Sequence, residues 1–369
     1  MASRTCSAVL MAPRRIEIQE FDLPEIGPYA ALMEVEGTGI CGSDWSPYAG
    51  TWRQPLAPLI LGHEVVGRVV ELGPGAGGRW GIGEGERIVV EESIPCNHCR
   101  LCRTGRYHMC DPMHTREGMR YGLTPVSVSP SIWGGFGEYM YIHPNSVVHP
   151  MSADVPIAHA PLFIPLSNGI RWVERDGGCR VGDTVVIQGP GQHGLGCVIA
   201  AKLAGAGTIV VVGTGKDSFR LDVARQLGAD HVINIDDGPA PEQLRELTNG
   251  GMGDVVLDVT AAAPSALGDA IGMATIGGTV VVAGAKEGKP ATNFVSDLLL
   301  LNELTIKGVY GHDWTSVDRA LRLVESNSFP LDLLCTHTFS LDRADEALLT
   351  LGGEGEPDAI HVTIVPGVR

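Results

Sequence analysis

The pattern of hydrophobic and polar residues changes near residue 158. Residues 1 to about 158 are rich in Gly and Pro and carry short alternating runs such as ALMEVEG and GEYMYI, which predict an antiparallel β domain. From about Leu162 to Val309, apolar runs such as VVIQG, TIVVVG, DVVLDV and TVVVAG alternate with helical patterns. This alternation predicts a parallel sheet covered by helices. A helical pattern, VDRALRLVES, and a closing strand, AIHVTIVP, form a tail too short for a third domain.

A glycine-rich turn joins the first predicted strand of the parallel sheet, Val185–Gln188, to an alanine-rich helix. In the turn GPGQHG, Gly189 permits a tight bend, Gly191 lets the backbone approach a pyrophosphate, and Gly194 allows the helix to pack closely on the strand. The helix N-terminus adds positive partial charge. With a second strand predicted over Thr208–Gly213, the segment is predicted to bind a dinucleotide.

Four cysteines, Cys96, Cys99, Cys102 and Cys110, lie in the run CNHCRLCRTGRYHMC. Zn²⁺ prefers four thiolates in tetrahedral geometry, and cysteines two residues apart in a short loop can supply them. Disulfides or a redox pair are the alternative, but four cysteines in so short a loop are hard to pair without strain. The run predicts a closed structural zinc site.

A second set of metal ligands is predicted from two separate segments, Cys41 in GICGSD and His63-Glu64 in LGHE. An isolated Cys or His is more often a core residue than a ligand. Ligands supplied by separated segments, however, are typical of the open coordination sphere of a catalytic zinc.

Taken together, these motifs resemble the zinc-containing medium-chain alcohol dehydrogenases, a family that includes sorbitol and threonine dehydrogenases. The resemblance spans nearly the whole chain and includes the stretches GGFGEY, PLSNG and ARQLGAD. It implies an α/β protein in which a GroES-like, partly open β-barrel catalytic domain, residues 1–158 and 310–369, accompanies a Rossmann domain, residues 159–309. The active site is expected in the cleft between them.

The activity implied by the resemblance is reversible hydride transfer between an alcohol carbon and a nicotinamide, with zinc favouring loss of the alcohol proton. Ser43 matches the family's hydroxyl that takes this proton, beside Cys41, His63 and Glu64. The candidate cofactor-binding residues are Gly189, Gly191, Gln192, His193, Gly194, Gly213, Thr214, Lys216, Arg220, Thr260 and Ala283.

The chain departs from the family at the third zinc ligand, because Ile164 stands where sorbitol-type enzymes carry Glu. We favour a zinc retained by Cys41, His63 and Glu64 with a water. The alternatives are weak or absent metal binding, hence a zinc-independent, NADPH-dependent reductase of activated C=C bonds, or a non-catalytic cofactor-binding protein.

Two further departures concern the proton and the cofactor. Ser46 replaces the histidine that ends the proton relay in many family members, so water or a ribose hydroxyl must release the proton. Gly213 stands where an NAD enzyme carries an acid at the end of the second strand. Thr214, Lys216 and Arg220 could accept a 2′-phosphate, whereas Asp217 could reach a ribose, and the missing acid slightly favours NADP over NAD.

The composition of the chain limits the classes of binding partner that we expect. A net charge of −16 argues against nucleic acid and against anionic membranes, and no segment has the pattern of a signal peptide or a membrane span. Nine cysteines fit a reducing compartment, so we expect a cytoplasmic protein whose remaining cysteines are buried or free thiols. Those are Cys6, Cys179, Cys197 and Cys335.

Substrate and assembly are predicted from apolar residues. Trp45, Tyr48, Trp52 and Trp133 fall in segments that line the family's substrate cleft, which favours a bulky apolar or cyclic secondary alcohol and its ketone. By resemblance we expect a homodimer or homotetramer formed through the Rossmann domains, with Val295 to Gly311 as the candidate contact.

Overall fold

The computed structural model describes residues 3–51, 58–110 and 119–367. The chain divides into two compact units. The first unit contains residues 1–163, 321–327 and 335–369, and the second contains residues 164–320 and 328–334. The strands are β1 Arg4–Ala12, β2 Arg15–Asp22, β3 Ala31–Ile40, β4 Leu59–Ile60, β5 Glu64–Leu72, β6 Arg87–Val90, β7 Tyr139–Ile142, β8 Val148–Pro150, β9 Thr184–Gln188, β10 Thr208–Gly213, β11 His231–Asn234, β12 Gly253–Asp258, β13 Ala274–Val282, β14 Thr305–Gly308, β15 Cys335–Phe339 and β16 His361–Ile364.

The first unit is built from largely antiparallel sheets, as the alternating runs predict. A small sheet has the order β2-β1-β4, and a larger one has the order β15-β16-β3-β5-β6-β8, with β7 pairing β3. Strand β3 is buried along most of its length, including positions that the pattern predicts to face water. The reason is its central place, because β5, β7 and β16 all pair with it.

The second unit contains a parallel sheet of order β11-β10-β9-β12-β13-β14. Its inner strands are rich in β-branched residues and almost fully buried, as expected for a sheet covered on both faces. The order in which strands are added to the sheet reverses between β9 and β12. Open α/β sheets bind ligands at the carboxyl ends of the strands at such a reversal. The predicted Rossmann fold is confirmed, with β9 starting one residue before the predicted strand.

Helices connect the strands. The helix after β9, Gln192–Ala204, ends at Gly205, whose φ of 81° is a left-handed conformation that favours glycine. The other α-helices are Gly42–Ala49, Ala76–Trp80, Arg100–Arg103, Phe163–Ile170, Ser218–Leu227, Ala240–Leu247, Ala266–Met273, Asp297–Leu301, Trp314–Ser326 and Ala344–Leu351, and a π-helical turn covers Arg171–Asp176. Every helix in the described ranges is too short or too polar to span a bilayer.

Candidate metal centres and cofactor site

The sulfurs of Cys96, Cys99, Cys102 and Cys110 converge, each within 4.8 Å of the others. The sulfurs of Cys96 and Cys102 are 4.0 Å apart, as are those of Cys99 and Cys110. A tetrahedral zinc with Zn–S bonds of about 2.3 Å separates its sulfurs by about 3.8 Å, so the cluster fits this metal. None of the nine cysteines, all of which lie in the described ranges, forms a disulfide.

Backbone amides support negative charge on these sulfurs. The amide N–H groups of Cys96, Cys99 and Cys102 donate to the sulfurs of Cys110, Cys96 and Cys99 at 3.3 to 3.4 Å. Burial raises the pKa of the Cys102 and Cys110 thiols, so a bound cation is needed to keep them as thiolates near neutral pH.

A buried carboxylate attaches the cysteine loop to the β-sheet. The Tyr107 hydroxyl lies 2.7 and 2.8 Å from the two oxygens of Glu91, which follows β6 and is fully buried. His149 in β8 places Nε2 2.8 Å from Glu91 Oε1. The sequence analysis missed this network, because only the pairing of β6 with β8 brings Glu91 and His149 together.

Cys41, His63 and Glu64 form the second cluster, with ligand atoms within 4.8 Å of one another. Cys41 follows β3, and His63 precedes β5 directly. The two strands pair antiparallel with Gly39 opposite Glu64, which places the end of β3 beside the start of β5. The strand register therefore brings both motifs to one buried site.

Asp44 orients this cluster. Its carboxylate accepts the amide N–H of Cys41 at 2.9 Å and that of Gly62 at 3.0 Å, and it lies 3.3 Å from His63 Nδ1. Burial opposes a charge on His63, yet Asp44 keeps the pKa of the imidazole well above its usual value. The contact at Nδ1 leaves His63 Nε2 to face a metal, 3.2 Å from Ser43 Oγ. The sequence analysis missed Asp44, although its place three residues after Cys41 is that of a capping acid.

Glu64 depends on a glycine for its position. A Cβ atom on Gly39 would lie 2.2 Å from Glu64 Oε2 and 2.6 Å from His361 Cε1, so no larger residue fits. His361, from the neighbouring strand β16, places Nδ1 3.8 Å from Glu64 Oε2, and both side chains are fully buried. Burial raises the pKa of Glu64, and the nearby Cys41 thiolate raises it further. A bound cation would oppose both effects by lowering the pKa of Glu64.

The cluster offers three protein ligands. Among the described residues, this cluster and the cysteine quartet are the two groups whose potential ligand atoms all lie within 4.8 Å of one another. Ile164 is buried in the helix Phe163–Ile170 and supplies no ligand atom. Three protein ligands with an open position are typical of catalytic zinc. Ser46 donates its hydroxyl to the Gly42 carbonyl of its own helix at 3.3 Å.

The glycine turn after β9 has the shape of a pyrophosphate cradle. Gly189 has a φ of 99°, which favours glycine, and a Cβ atom on Gly194 would lie 1.9 Å from the Gly189 carbonyl oxygen. A Cβ atom on Gly191 would meet no atom within 4 Å, so this glycine borders open space. No side chain caps the helix that starts at Gln192, and its positive end therefore faces that space. A dinucleotide fits these features.

The other candidate cofactor residues lie at the carboxyl ends of strands or in the turns and helices that follow them. Thr214 and Arg220 both contact Asp217, at 2.7 Å and 3.3 Å, whereas Lys216 is exposed. A Cβ atom on Gly213 would lie 3.3 Å from Asp217 Cβ, so Asp217 approaches the place of the missing acid. Elsewhere at this edge, Thr260 follows β12, Ala283 follows β13, and His193 Nδ1 lies 3.3 Å from Asn168 Nδ2.

Among the described aromatic residues near the motifs, Tyr48 and Trp133 are core residues. Trp133 is 1% exposed, donates its indole N–H to the Val128 carbonyl and packs edge-on against Tyr141. Tyr48 is 2% exposed and donates its hydroxyl to Asp345. The prediction that these rings line a substrate cleft is therefore wrong for Tyr48 and Trp133, since both are buried in hydrophobic clusters.

The Trp45 ring is half-buried and lies against Gly352, whose Cβ atom would be 2.3 Å from it. Trp52 lies outside the described residues.

Comparisons with known proteins agree with this geometry. Residues 27–153 match the family model of the alcohol dehydrogenase GroES-like domain, and residues 194–326 match that of zinc-binding dehydrogenases. A Mycobacterium tuberculosis protein assigned as an alcohol dehydrogenase is 40% identical over 364 residues, 97% of each chain. The erythritol/L-threitol dehydrogenase of Mycolicibacterium smegmatis is 33% identical, covering 98% of this chain and 97% of its own. A Sinorhizobium meliloti 1021 protein assigned as a zinc-binding dehydrogenase and solved bound to NADP has a TM-score of 0.85 and 26% identity, covering 99% and 100% of the chains.

The chain combines a GroES-like unit, a Rossmann unit and two clusters of candidate metal ligands. These features define a zinc-containing, nicotinamide-dependent oxidoreductase acting on CH–OH groups. The chain belongs to the zinc-containing medium-chain alcohol dehydrogenase family. The predictions of family, fold class and alcohol dehydrogenase activity are confirmed, as is the use of zinc and a nicotinamide cofactor.

The network around Glu91 predicts a stability effect. Tyr107→Phe removes the hydroxyl donor of a buried carboxylate and should lower the free energy of unfolding by about 1.5 to 3 kcal/mol. It should also speed zinc loss to a chelator, because the cysteine loop loses a hydrogen bond that attaches it to Glu91. Thermal unfolding and chelator-monitored zinc release measure both effects, with Tyr29→Phe at an exposed ring as control. Unchanged unfolding and zinc release in Tyr107→Phe would contradict the role assigned to the hydroxyl.

The two glycines of the turn should respond differently to alanine. Gly194→Ala forces a methyl group against the Gly189 carbonyl and should destabilise the protein by about 1 to 3 kcal/mol. Gly191→Ala meets no protein atom, so the unfolding temperature should hold while the dissociation constant for the cofactor rises at least about tenfold. Calorimetry measures the loss of stability in Gly194→Ala, and cofactor titration measures the loss of affinity in Gly191→Ala. Full cofactor affinity in a folded Gly191→Ala protein would contradict the cradle.

Proposed function

We propose that Cys41, His63 and Glu64 hold the catalytic zinc of this alcohol dehydrogenase, and that Cys96, Cys99, Cys102 and Cys110 hold a structural zinc. The observation that carries the proposal is the convergence of three ligand atoms around an imidazole that Asp44 already orients. Residues 1–158 and 310–369 would form the catalytic domain, and residues 159–309 the cofactor domain.

The protein groups around the zinc site have distinct tasks in this proposal. Bound zinc makes a coordinated alcohol easier to deprotonate and a coordinated carbonyl more electrophilic. Ser43 would accept the alcohol proton, since its hydroxyl lies 3.2 Å from His63 Nε2, the nitrogen that would hold the zinc. Asp44 keeps His63 and the backbone of Cys41 in place, so little reorganisation is needed during the reaction.

Proton release follows a route without a relay histidine. The Ser46 hydroxyl is engaged with the Gly42 carbonyl and stands where many family members carry that histidine. We propose that Ser43 passes the proton to water or to a hydroxyl of the cofactor ribose.

The activity itself is the direct test. Purified protein should reduce NAD(P)⁺ with secondary alcohols, followed by the absorbance of the reduced cofactor. Cys41→Ser should lower kcat/KM at least about a hundredfold, because zinc binding supplies several kcal/mol of stabilisation. Cys179→Ser, at a thiol outside both metal clusters, is the matched control.

The same assay tests the alternative on this fold. Oxidation of NADPH by enones, without any turnover of alcohols or ketones, would contradict the proposal and favour the zinc-independent reductase. Cofactor binding without turnover of either substrate set would favour a non-catalytic cofactor-binding protein.

We propose NADP(H) as the preferred cofactor. Gly213 supplies no acid at the end of β10, and Asp217 is already engaged by Thr214 and Arg220, which leaves exposed Lys216 for a 2′-phosphate.

Lys216→Glu tests this preference. The variant should raise KM for NADP⁺ at least about tenfold and change KM for NAD⁺ less than about twofold. Lys202→Glu, near the other end of the helix Gln192–Ala204, is the control, because it changes net charge equally. A wild-type protein that prefers NAD⁺, or equal effects of the two variants, would contradict the proposal.

We propose a secondary alcohol as substrate and keep the apolar or cyclic class as the working hypothesis. Burial of Tyr48 and Trp133 removes part of its support. The Mycolicibacterium relative is named for erythritol and threitol, so linear polyols belong in the assay beside cyclic alcohols.

We also propose a cytoplasmic homodimer or homotetramer. Strand β14 forms one edge of the parallel sheet. Apolar residues before it are exposed, with 53% of Val295, 79% of Leu300 and 72% of Leu301 accessible. An unpaired edge beside exposed leucines is suited to pairing across a two-fold axis.

A further inference from the structure

A buried ion pair lies at the carboxyl end of β12, outside the residues that the sequence motifs single out. The Asp258 carboxylate is fully buried, and Lys286 Nζ lies 2.9 Å from its Oδ1 atom. The Lys286 side chain is 12% exposed. Such a pair is a weak source of stability, because removing two charges from water costs about as much as their attraction returns.

Thr260 contacts both charges. Its hydroxyl donates to Asp258 Oδ1 at 2.6 Å, and its amide N–H donates to the same oxygen at 3.2 Å. Lys286 Nζ lies 2.9 Å from the Thr260 hydroxyl and also donates to the Thr260 carbonyl oxygen. The ammonium therefore has three acceptors, and two of them belong to Thr260.

This arrangement stands at the switch point of the sheet. Asp258 pairs with Gln188, the last residue of β9, and the next residue along β9 is Gly189 of the glycine turn. The Val259 amide donates to the Gln188 carbonyl at 3.0 Å. The ion pair thus adjoins the crevice in which open α/β sheets bind dinucleotides.

Two glycines confine Thr260. A Cβ atom on Gly189 would lie 3.1 Å from Thr260 Cγ2, and one on Gly284 would lie 2.0 Å from the Thr260 carbonyl oxygen. Thr260 therefore packs directly against the first glycine of the cofactor turn on one side and against the end of β13 on the other. Any shift of Thr260 would therefore change the width of the crevice beside the glycine turn.

We propose that Lys286 is a positioning residue for the nicotinamide cofactor, acting through Asp258 and Thr260 to hold the segment after β12 against the glycine turn. The inference rests on the proposed cofactor site. The Lys286 ammonium is saturated by protein acceptors, so Lys286 acts on the shape of the crevice rather than by touching the cofactor. Affinity for both NAD⁺ and NADP⁺ should depend on it, because both share the adenosine diphosphate and nicotinamide parts that the crevice receives.

A pair of double variants isolates this role. Asp258→Asn with Lys286→Gln removes both charges but keeps a donor for Thr260, whereas Asp258→Asn with Lys286→Met removes the charges and the donor. Neither leaves an unpaired buried charge, so both should fold. Lys289→Met is the control, because Lys289 pairs only with Glu287 at the surface among the described residues.

Dissociation constants for NAD⁺ and NADP⁺, measured by calorimetric titration of the zinc-loaded protein, are the primary readout, with unfolding temperature and metal content beside them. We expect the methionine double variant to bind both cofactors at least about tenfold more weakly than the glutamine double variant, at similar unfolding temperature and metal content. Lys289→Met should bind like the wild type.

Equal cofactor affinity in the two double variants would overturn the inference, and so would an affinity loss that merely follows the unfolding temperature. A wild-type protein that binds neither NAD⁺ nor NADP⁺ would instead contradict the proposed cofactor site itself. The two failures are therefore distinguishable.

Discussion

The pairing of β3 with β5 is the constraint on which the candidate zinc site depends. Gly39 opposite Glu64 fixes the register, and that register places Cys41 beside His63 although the two are far apart in sequence. A slip of one residue would turn Glu64 to the other face of the sheet and separate the ligands. The absence of a side chain at Gly39 then leaves the space that the Glu64 carboxylate occupies.

Buried carboxylates organise each of the three chemical sites. Asp44 gathers two backbone amides and the His63 ring, Glu91 gathers Tyr107 and His149, and Asp258 gathers Thr260 and Lys286. A carboxylate can accept several hydrogen bonds, and in a buried site each of them is strong and directional. These acids hold candidate zinc ligands, the cysteine loop and the segment beside the glycine turn without being candidate metal ligands themselves.

The sequence predicted those parts of the structure that local motifs encode. The glycine turn, the cysteine run and the strands of the parallel sheet are contiguous in sequence, and all of them form as expected. Glu91, His361 and Lys286 were missed because strand pairing, not sequence spacing, brings them to their partners. Asp44 was missed although its spacing from Cys41 is that of a capping acid, because its contacts with Gly62 and His63 depend on the fold. Trp133 was misjudged for a related reason: its position in the chain says nothing about the direction of its ring, and burial in the core is the favourable outcome for a large aromatic side chain.

We propose that the chain holds a catalytic zinc on Cys41, His63 and Glu64 although Ile164 supplies no ligand. Metal content per subunit, measured by plasma mass spectrometry on wild-type, Cys41→Ala and Cys96→Ala proteins, tests it most directly. We expect two zinc ions in the wild type and the loss of one in each variant. A single zinc that disappears only with Cys96→Ala would show that the Cys41 site holds no metal.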